Sequence, residues 1–561
     1  MAQSISIGKQ DFAFLRENNC FFVDKTNFIK EWWDNVDEIT LLTRPRRFGK
    51  TLNMSMLNCF FSNKYADRGD LFEGLSIWKE EKYRSLQGKY PVIFLSFADV
   101  KQTNYKDAIQ KIKNCIVEAY RNFPQLITWD GFSEGERRQI MAVTSEMDDV
   151  TAQDALKNLS AWLEHYYGKK AIILLDEYDT PMQEAYVHGY WEQFTAFIRS
   201  LFNASFKTNP YLERALMTGV TRVSKESIFS DLNNLRVITT TSDLYADCFG
   251  FTEKEVFDAL DNYGMGDKKE IVKQWYDGFT FGQYHDIYNP WSITNYLKEK
   301  KLYPYWASTS SNGLVSNLIQ AASADIKEKM EDLLNGKEIL VTFDEQKGPD
   351  NLKPYDNAIW SLMLASGYLN VNDVEYRGTL LEPWYRLCIT NLETKSMFSG
   401  MFRGWFKASH ANYNGFVKAL LQGSLKEMNI YMNDVALATF STFDTGKQPS
   451  KKSEPERFYH GFVLGLLVEL RERYEIKSNR ESGYGRYDVM LVPLNESDTA
   501  IVIEFKVQDH ETEKTLQDTV QMALRQIEDK NYDADLIALG IGSDRIRHYG
   551  FAFEGKKVLI G

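Results

Sequence analysis

The sequence feature that most constrains the fold is an apolar strand pattern that runs directly into a basic turn and then into a helix pattern. The apolar residues 39–43 precede the segment RPRRFGKT at residues 44–51, and residues 52–61 continue with helical periodicity. A strand, a tight turn ending in Gly-Lys-Thr and a helix start form a context in which backbone N–H groups bind phosphate. This order predicts a phosphate-binding loop in an α/β domain.

Three residues at the end of this turn have separate expected roles. Gly49 would let backbone N–H groups approach a phosphate, Lys50 would neutralise the β and γ phosphates, and the Thr51 hydroxyl would bind Mg²⁺. The pattern G-x-x-x-x-G-K-[ST] requires glycine at its first position, where this chain has Arg44. A basic surface turn between two elements is therefore the alternative interpretation.

A later strand pattern supplies the second half of a nucleotide-binding signature. Residues 171–175 are apolar and lead into Asp176 and Glu177, which would join the Mg²⁺ shell and polarise the attacking water, respectively. The next strand ends in TGVTR at residues 218–222, where Arg222 would stabilise transferring charge; an arginine in solvent is the alternative. The residues expected to bind ATP and its Mg²⁺ are Arg46, Arg47, Gly49, Lys50, Thr51, Asp176 and Arg222.

Strand and helix patterns alternate through residues 1–250, which predicts βαβ units and a doubly wound parallel sheet. Residues 251–440 are mostly helix-patterned and aromatic, and we expect a helical lid or spacer there. Residues 441–457 are polar and contain glycine and two prolines, which is typical of a linker. The predicted strands of the first part are 39–43, 92–97, 171–175 and 214–218, and its main predicted helices are 105–123 and 152–167.

A new pattern begins after the linker, in residues 458–561. Its order of helix, three strands, helix and strand is that of a restriction-endonuclease-like α/β core. The predicted elements are a helix at 458–473, strands at 474–478, 486–492 and 500–507, a helix at 513–530 and a strand at 536–541.

Three residues on these strands suit metal-dependent phosphodiester hydrolysis. Glu504 and Lys506 are two positions apart on one strand, so both project from the same face. Pairing with the preceding strand would bring Asp488 beside Glu504, and the two carboxylates would hold one or two Mg²⁺ ions while Lys506 orients the water. An exposed Glu and Lys on a solvent face are the alternative. Further candidates, for which ordinary structural or surface roles stay open, are Glu456, His460, Gln526 and Lys530.

These segments together resemble the AAA-ATPase-like proteins that carry a C-terminal PD-(D/E)XK nuclease-superfamily domain. The resemblance rests on LLTRPRRFGKT, ILLDEYDTP, TGVTRVSKESIFSDLNN, WYDGF followed by IYNPWS, and ESGYGRYD followed by IVIEFKV, in this order. Arginine at the first loop position is usual in that family, which is mainly bacterial, so the resemblance implies ATP binding despite Arg44. It also implies a nuclease-like site at Asp488, Glu504 and Lys506, and it covers residues 312–451 only loosely.

Composition and charge limit the environment and the partners. The chain has 561 residues, a net charge of −12 and five scattered cysteines without a C-x-x-C pair. We find no secretory signal pattern and no apolar run long enough to span a bilayer, so we expect a soluble cytoplasmic protein. An acidic chain is not expected to bind nucleic acid indiscriminately through phosphate contacts.

The sequence therefore predicts an ATP-binding and ATP-hydrolysing protein with a Mg²⁺-dependent nuclease domain, for which Mn²⁺ is an alternative metal. We expect nucleotide state to gate this domain, and its substrate to be nucleic acid, DNA rather than RNA. The alternative is a nucleotide-switched signalling or scaffolding ATPase whose nuclease-like domain binds a partner without cleaving it. A third possibility is a nuclease whose loop binds ATP only structurally. Homo-oligomer formation is open.

Overall fold

The computed structural model describes residues 3–222, 228–229, 231–307, 315, 319, 324–334, 336–343, 358–398, 413–439, 463–464, 467, 470, 473–482, 485–495, 498–510, 512–554 and 557–561. The chain forms two compact units, Met1–Leu318 with Glu338–Lys395, and Ile319–Lys337 with Ser396–Gly561. The boundaries predicted at residues 250, 440 and 457 stay predictions, and the predicted linker at 441–457 lies outside the described residues.

The strands of the described residues fall into four sheets. They are β1 (Ile39–Thr43), β2 (Val92–Ser96), β3 (Ala171–Asp176), β4 (Leu212–Gly219), β5 (Leu235–Ile238), β6 (Phe251–Thr252), β7 (Phe279–Phe281), β8 (Tyr284–Tyr288), β9 (Ile339–Val341), β10 (Leu369–Arg377), β11 (Glu382–Ile389), β12 (Tyr474–Ser482), β13 (Gly485–Pro493), β14 (Ala500–Val507), β15 (Ile546–Glu554) and β16 (Lys557–Ile560).

The described α-helices connect or cover these sheets, and none of them is long and apolar enough to cross a membrane. They are α1 (Phe12–Glu17), α2 (Asn27–Asp34), α3 (Lys50–Phe61), α4 (Glu81–Arg84), α5 (Tyr105–Arg121), α6 (Gln125–Thr128), α7 (Glu134–Met141), α8 (Asp149–Tyr167), α9 (Thr180–Val187), α10 (Trp191–Phe202), α11 (Glu253–Asn262), α12 (Lys269–Tyr276), α13 (Pro290–Glu299), α14 (Ala324–Leu334), α15 (Ala358–Ala365), α16 (Tyr413–Gln422), α17 (Leu425–Thr439), α18 (Leu516–Asp529) and α19 (Ala534–Ala538).

The first unit is built around a five-stranded parallel sheet in the order β2-β3-β4-β1-β5. Strands β1, β3 and β4 are buried along almost their whole length, because helices cover both faces of the sheet. Helices α5, α8 and α10 pack on one face, and α2 and α3 pack on the other. The predicted doubly wound α/β fold of this part is therefore confirmed.

All four strands predicted for this sheet are present as β1 to β4, with ends that differ by at most two residues. The fifth strand, β5, was not predicted. Only one of its four residues is buried, as befits a sheet edge, so it lacks the apolar run that marks the central strands.

The register of the sheet places the ends of its central strands side by side. Thr43 at the end of β1 lies opposite Gly219 at the end of β4, and Leu175 on β3 lies opposite Met217 on β4. Ligands of open α/β sheets bind at the carboxyl ends of the strands. The loop after β1, the end of β3 at Asp176 and the end of β4 therefore meet at the edge where a ligand is expected.

Residues 251–395 of the first unit contain α11, α12, α13 and α15 together with two three-stranded sheets, β6-β8-β7 and β10-β11-β9. The helices of this region were predicted, but the strands were not. Strands as short as β6, with two residues, and β7, with three, give too few positions for a period-two pattern.

The second unit contains a five-stranded sheet in the order β12-β13-β14-β15-β16, in which β14 and β15 are parallel and the other pairs are antiparallel. The predicted strands at 474–478, 486–492 and 500–507 correspond to β12, β13 and β14, and the predicted helix at 513–530 corresponds to α18. Most of the predicted helix at 458–473 lies outside the described residues.

The strand predicted at 536–541 is wrong. Residues Ala534–Ala538 form helix α19 with Leu536 buried, and Gly540 follows with a φ of +84°. A short apolar run fits a turn of buried helix as well as a strand, so periodicity does not separate the two. The strand that pairs in parallel with β14 is β15, further along the chain.

Gly278 provides a test of the packing within residues 251–395. Its φ is +113°, and a Cβ there would lie 2.0 Å from the carbonyl oxygen of Thr390. We expect Gly278→Ala to lower the free energy of unfolding by about 3 kcal/mol, because backbone strain and overpacking are both introduced. The measurement is urea unfolding of the intact chain.

The matched control is Gly264→Ala, since Gly264 has a φ of +70° but no atom within 4 Å of the added Cβ. This control should cost about 1 kcal/mol. Equal losses in the two variants would contradict the close approach of Gly278 to Thr390.

Candidate nucleotide-binding and nuclease-like sites

The loop between β1 and α3 has the geometry of a phosphate-binding turn. Gly49 has a φ of +83°, in the left-handed region that favours glycine, and helix α3 begins at the next residue. Lys50 is 3% exposed, and its ammonium group donates to the carbonyl oxygens of Arg44 and Pro45 at 3.1 and 3.2 Å. The side chain therefore curls back over the loop whose N–H groups would hold a phosphate.

Asp176 links the start of α3 to strand β4. Its Oδ2 accepts a hydrogen bond from Thr51 Oγ1 at 2.7 Å, and its Oδ1 accepts one from Thr218 Oγ1 at 2.6 Å. Burial, together with the neighbouring charge of Glu177, raises the pKa of Asp176 above its ordinary value. Carboxylate and hydroxyl oxygens are ligands that Mg²⁺ prefers, so the donor set of Thr51 and Asp176 fits this ion.

Glu177 turns out of β3 toward the loop. Its φ of +53° lies in the left-handed region, which residues other than glycine rarely occupy. Where they do occupy it, they are often at functional sites. Its Oε1 lies 3.6 Å from Lys50 Nζ, and the side chain is 22% exposed. The carboxylate is therefore close to the lysine and still reachable by water.

Arg44 is a buried structural residue. It is 0% exposed, and its guanidinium lies 4.5 Å from the centre of the Phe281 ring. Burial lowers the pKa of Arg44 to about 9, so the group stays protonated at neutral pH. The first position of the loop is therefore buried, and the arginine holds it against the elements that follow β5. The carbonyl oxygens that accept hydrogen bonds from the guanidinium belong to Thr43, Thr239, Leu244 and Tyr245.

Arg46 and Arg47 are the exposed residues of the loop, and both reach the start of α13. The guanidinium of Arg47 lies 4.4 Å from the centre of the Trp291 ring, and the carbonyl oxygen of Arg46 accepts a hydrogen bond from Asn289 Nδ2 at 3.3 Å. Asn289 also caps α13 through its side-chain oxygen. The loop and this helix terminus are therefore directly connected.

A cavity of about 640 Å³ lies over the loop. Six of its eight charged lining residues are basic, which suits a polyphosphate. The wall also includes residues 6–10, residues 21–23 and the start of α13, which the sequence did not predict as part of the site; the IYNPWS segment was the available signal for α13. The charged lining residues are Lys9, Lys25, Arg46, Arg47, Lys50, Lys101, Glu177 and Glu184.

Arg222 stands apart from the other predicted nucleotide contacts. It follows the end of β4, is half-buried and does not line the cavity in the described part of the chain. Its Nε is buried without a hydrogen-bond partner among the described residues. Its predicted contact with transferring charge stays a prediction.

The carboxylates predicted for the second site lie on neighbouring antiparallel strands, β13 and β14. Val489 pairs with Ile503, and Asp488 Oδ2 accepts a hydrogen bond from the backbone N–H of Phe505 at 2.8 Å. This contact brings the Asp488 side chain to the strand that carries Glu504. The expected pairing of the two strands is therefore confirmed.

Glu504 and Lys506 occupy alternate positions of β14, while Ile503 and Phe505 pack into the core on the opposite face. Glu504 is 2% exposed and accepts a hydrogen bond from Gln526 Nε2 of α18. Lys506 is half-buried. Carboxylate oxygens at Asp488 and Glu504 fit a divalent cation such as Mg²⁺ or Mn²⁺.

Tyr532 is a neighbour of this site that the sequence did not single out. Its hydroxyl accepts a hydrogen bond from Gln526 Nε2 at 3.1 Å, so one amide group bridges the tyrosine and Glu504. Burial is the main cause that raises the pKa of Tyr532 above its ordinary value. The sequence signal nearby was the candidate Gln526 on α18, the helix that ends three residues before Tyr532. Glu456 and His460 lie outside the described residues.

The two sites lie within segments that match known families. Residues 6–229 match the family described as predicted AAA-ATPase, and residues 454–561 match the PD-(D/E)XK nuclease superfamily. The chain thus combines an AAA-ATPase-like domain with a PD-(D/E)XK nuclease-superfamily domain, as its motifs predicted. It is 26% identical over 396 residues to an Azotobacter chroococcum mcd 1 protein described as an uncharacterized protein in the vnfD 5' region. The aligned part covers 70% of this chain and 69% of that protein.

The buried guanidinium of Arg44 can be tested by Arg44→Lys. A lysine ammonium lacks the planar fork that reaches several carbonyl oxygens, so buried acceptors of the wild-type guanidinium lose their partners. We expect the free energy of unfolding to fall by about 2 kcal/mol or more, measured by urea unfolding of the intact chain.

The control is Arg46→Lys, which changes an exposed arginine of the same loop and should alter stability by less than about 0.5 kcal/mol. An unchanged free energy of unfolding in Arg44→Lys would show that the guanidinium does not hold the loop.

Proposed function

We propose that the cavity over the loop binds ATP with Mg²⁺ and hydrolyses it. The observation that carries this proposal is the convergence of Thr51 and Asp176, 2.7 Å apart, with Lys50 and Glu177, 3.6 Å apart, at the carboxyl edge of one sheet. The basic lining would attract the triphosphate, and the aromatic and aliphatic lining from the N-terminal segment and α13 would receive the base.

Each of these residues has one task in the proposed reaction. Lys50 and the loop N–H groups would bind the β and γ phosphates, and Thr51 and Asp176 would hold Mg²⁺, which supplies charge neutralisation on the phosphates when bound. Glu177 would accept a hydrogen bond from the attacking water and orient it. The 3.6 Å contact between Glu177 and Lys50 supports this role, because a lysine bound to the phosphates would have the carboxylate beside it.

Two substitutions separate binding from hydrolysis. Lys50→Ala should weaken ATP binding by at least about tenfold, because a charge-assisted contact to phosphate is lost. Glu177→Gln should preserve binding and lower kcat by about 100-fold or more, because the group that polarises the water is neutral. The measurements are isothermal titration calorimetry and phosphate release.

Lys89→Ala is the control for the lysine substitution, since Lys89 is exposed and does not line the cavity; it should behave as wild type. Full turnover by Glu177→Gln would contradict the role of Glu177, and unchanged binding by Lys50→Ala would contradict the position of the phosphates.

We also propose that Asp488, Glu504 and Lys506 form a metal-dependent nuclease site that cleaves nucleic acid, DNA rather than RNA. The supporting observation is that Asp488 reaches β14 through the Phe505 N–H while Glu504 and Lys506 share one face of that strand. The two carboxylates would hold Mg²⁺ or Mn²⁺, which supplies an activated water when bound. Lys506 would orient this water and stabilise the charge that develops on the phosphate.

Substitutions at this site should stop cleavage without affecting ATP binding. Asp488→Asn and Lys506→Ala should each lower the cleavage rate by at least about 100-fold, since metal binding and charge stabilisation are lost. The assay uses plasmid, linear and single-stranded DNA and RNA with Mg²⁺ or Mn²⁺, with and without ATP.

Lys514→Ala, which changes an exposed lysine before α18, is the matched control and should cleave as wild type. Equal cleavage by Lys506→Ala and wild type would contradict the nuclease site.

We propose in addition that nucleotide state gates the nuclease, because two such sites occur on one chain with a net charge of −12 that disfavours indiscriminate DNA binding. Cleavage by wild type that requires ATP would support gating. Cleavage at the same rate with and without ATP would indicate that the loop at residues 44–51 binds ATP only structurally. Cleavage absent under every condition, with ATP still bound, would support a nucleotide-switched signalling or scaffolding ATPase.

A further inference from the structure

Asp179, two residues after Glu177, is a fully buried carboxylate with an unusual set of partners. Its Oδ2 accepts hydrogen bonds from the backbone N–H groups of Val220 and Thr221 at 3.0 and 2.7 Å, and from Thr221 Oγ1 at 2.8 Å. Gln183 Nε2 donates to the same oxygen at 3.0 Å. All four donors are uncharged, and three of them belong to the segment that follows β4.

This arrangement differs from ordinary helix capping. Asp179 is the N-cap residue of α9, a position where an aspartate side chain usually accepts from the second or third backbone N–H of its own helix. Here the side chain makes no such cap bond. It is directed instead at residues 220–221, at the end of another strand.

The neighbouring Tyr178 holds the same segment from both ends. Its backbone N–H donates to the carbonyl oxygen of Thr218 at 3.0 Å, and its hydroxyl donates to the carbonyl oxygen of Thr221 at 2.9 Å. A Cβ on Gly219 would lie 2.6 Å from Asp179 Oδ1 and 2.7 Å from the Tyr178 ring. Residues 218–221 therefore lie directly against the turn that follows Glu177.

Arg222 is the next residue after this clamped segment. The residue before it, Thr221, donates two hydrogen bonds to Asp179 and accepts one from Tyr178. The Arg222 Nε is buried without a hydrogen-bond partner among the described residues, so this atom does not fix the orientation of the guanidinium. Asp179 thus connects the turn carrying Glu177 to the segment carrying Arg222.

We propose that Asp179 is a positioning residue for ATP hydrolysis, which fixes the Arg222 guanidinium relative to Glu177 so that the arginine stabilises the transferring charge. The inference rests on the proposed ATPase activity and extends it to a residue that does not touch the nucleotide. Small displacements of a catalytic group reduce rate strongly, whereas ground-state binding depends on the loop and Lys50. Loss of Asp179 should therefore affect kcat rather than ATP affinity.

The test compares Asp179→Ala, Arg222→Ala and the double variant in the intact chain by steady-state phosphate release and ATP titration. Asp179→Ala should lower kcat by about 10- to 100-fold, with the Kd for ATP within about twofold of wild type. Because the two residues act as a unit, the double variant should be no slower than Arg222→Ala alone. The non-additivity is the readout that a merely structural role would not produce.

Two milder variants keep the proposal testable if Asp179→Ala does not fold. Asp179→Asn keeps the shape and an oxygen acceptor and should retain more activity than Asp179→Ala. Thr221→Val removes the hydroxyl bond at 2.8 Å and should lower kcat, while Thr221→Ser should restore it. A kcat for Thr221→Val equal to wild type would overturn the proposal.

The matched control is Asp148→Asn. Asp148 accepts from the backbone N–H and the hydroxyl of Thr151 at 2.8 and 3.0 Å, as Asp179 does from Thr221, but it caps α8 away from the cavity. Its kcat should equal that of wild type.

Losses that multiply in the Asp179→Ala, Arg222→Ala double variant, or a full kcat in Asp179→Ala, would overturn this inference alone. Absence of hydrolysis in wild type would overturn the proposed ATPase activity together with it.

Discussion

The pair of hydrogen bonds that Asp176 accepts from Thr51 and Thr218 is the interaction on which the rest of the first site depends. Asp176 ends β3, Thr51 lies in the first turn of α3, and Thr218 lies on β4. One buried carboxylate therefore sets the spacing of three elements, and its two hydroxyl donors offset part of the cost of its burial. Lys50, Glu177 and Asp179 all lie on or directly after these strands and helices, so their positions depend on the same interaction.

The loop is held from the other side by residues that follow β5. Arg44 extends into a buried position against carbonyl oxygens of residues 239–245, Phe48 packs against Phe279 at 4.8 Å, and Arg47 lies over Trp291. A loop that depends on a buried arginine needs this later part of the unit in order to keep its shape. Binding of a phosphate to the loop would act on the same residues that contact α13, and under our proposal this would link nucleotide state to residues 251–395.

Sequence patterns predicted the elements whose burial is uniform. The apolar strands β1 to β4 are covered on both faces. Lys50 and Thr51 were proposed from the Gly-Lys-Thr turn before α3, and Asp176 and Glu177 from the end of an apolar strand. The edge strand β5 and the strands of residues 251–395, which are very short or only partly buried, carry no such pattern. The apolar run around Leu536 is ambiguous between helix and strand. The role of Arg44 and the hydrogen bonds of Asp179 to residues 220–221 depend on contacts distant in sequence, which no local pattern encodes.

The central claim is that the loop and the ends of β3 and β4 form one nucleotide site. Hydrogen–deuterium exchange of the intact chain, with and without saturating ATP and Mg²⁺, tests it most directly. The account predicts slower exchange in residues 44–51 and 218–222 and at the start of α13, with the effect reversed when Mg²⁺ is chelated. Unchanged exchange in residues 44–51 at saturating ATP and Mg²⁺ would contradict it.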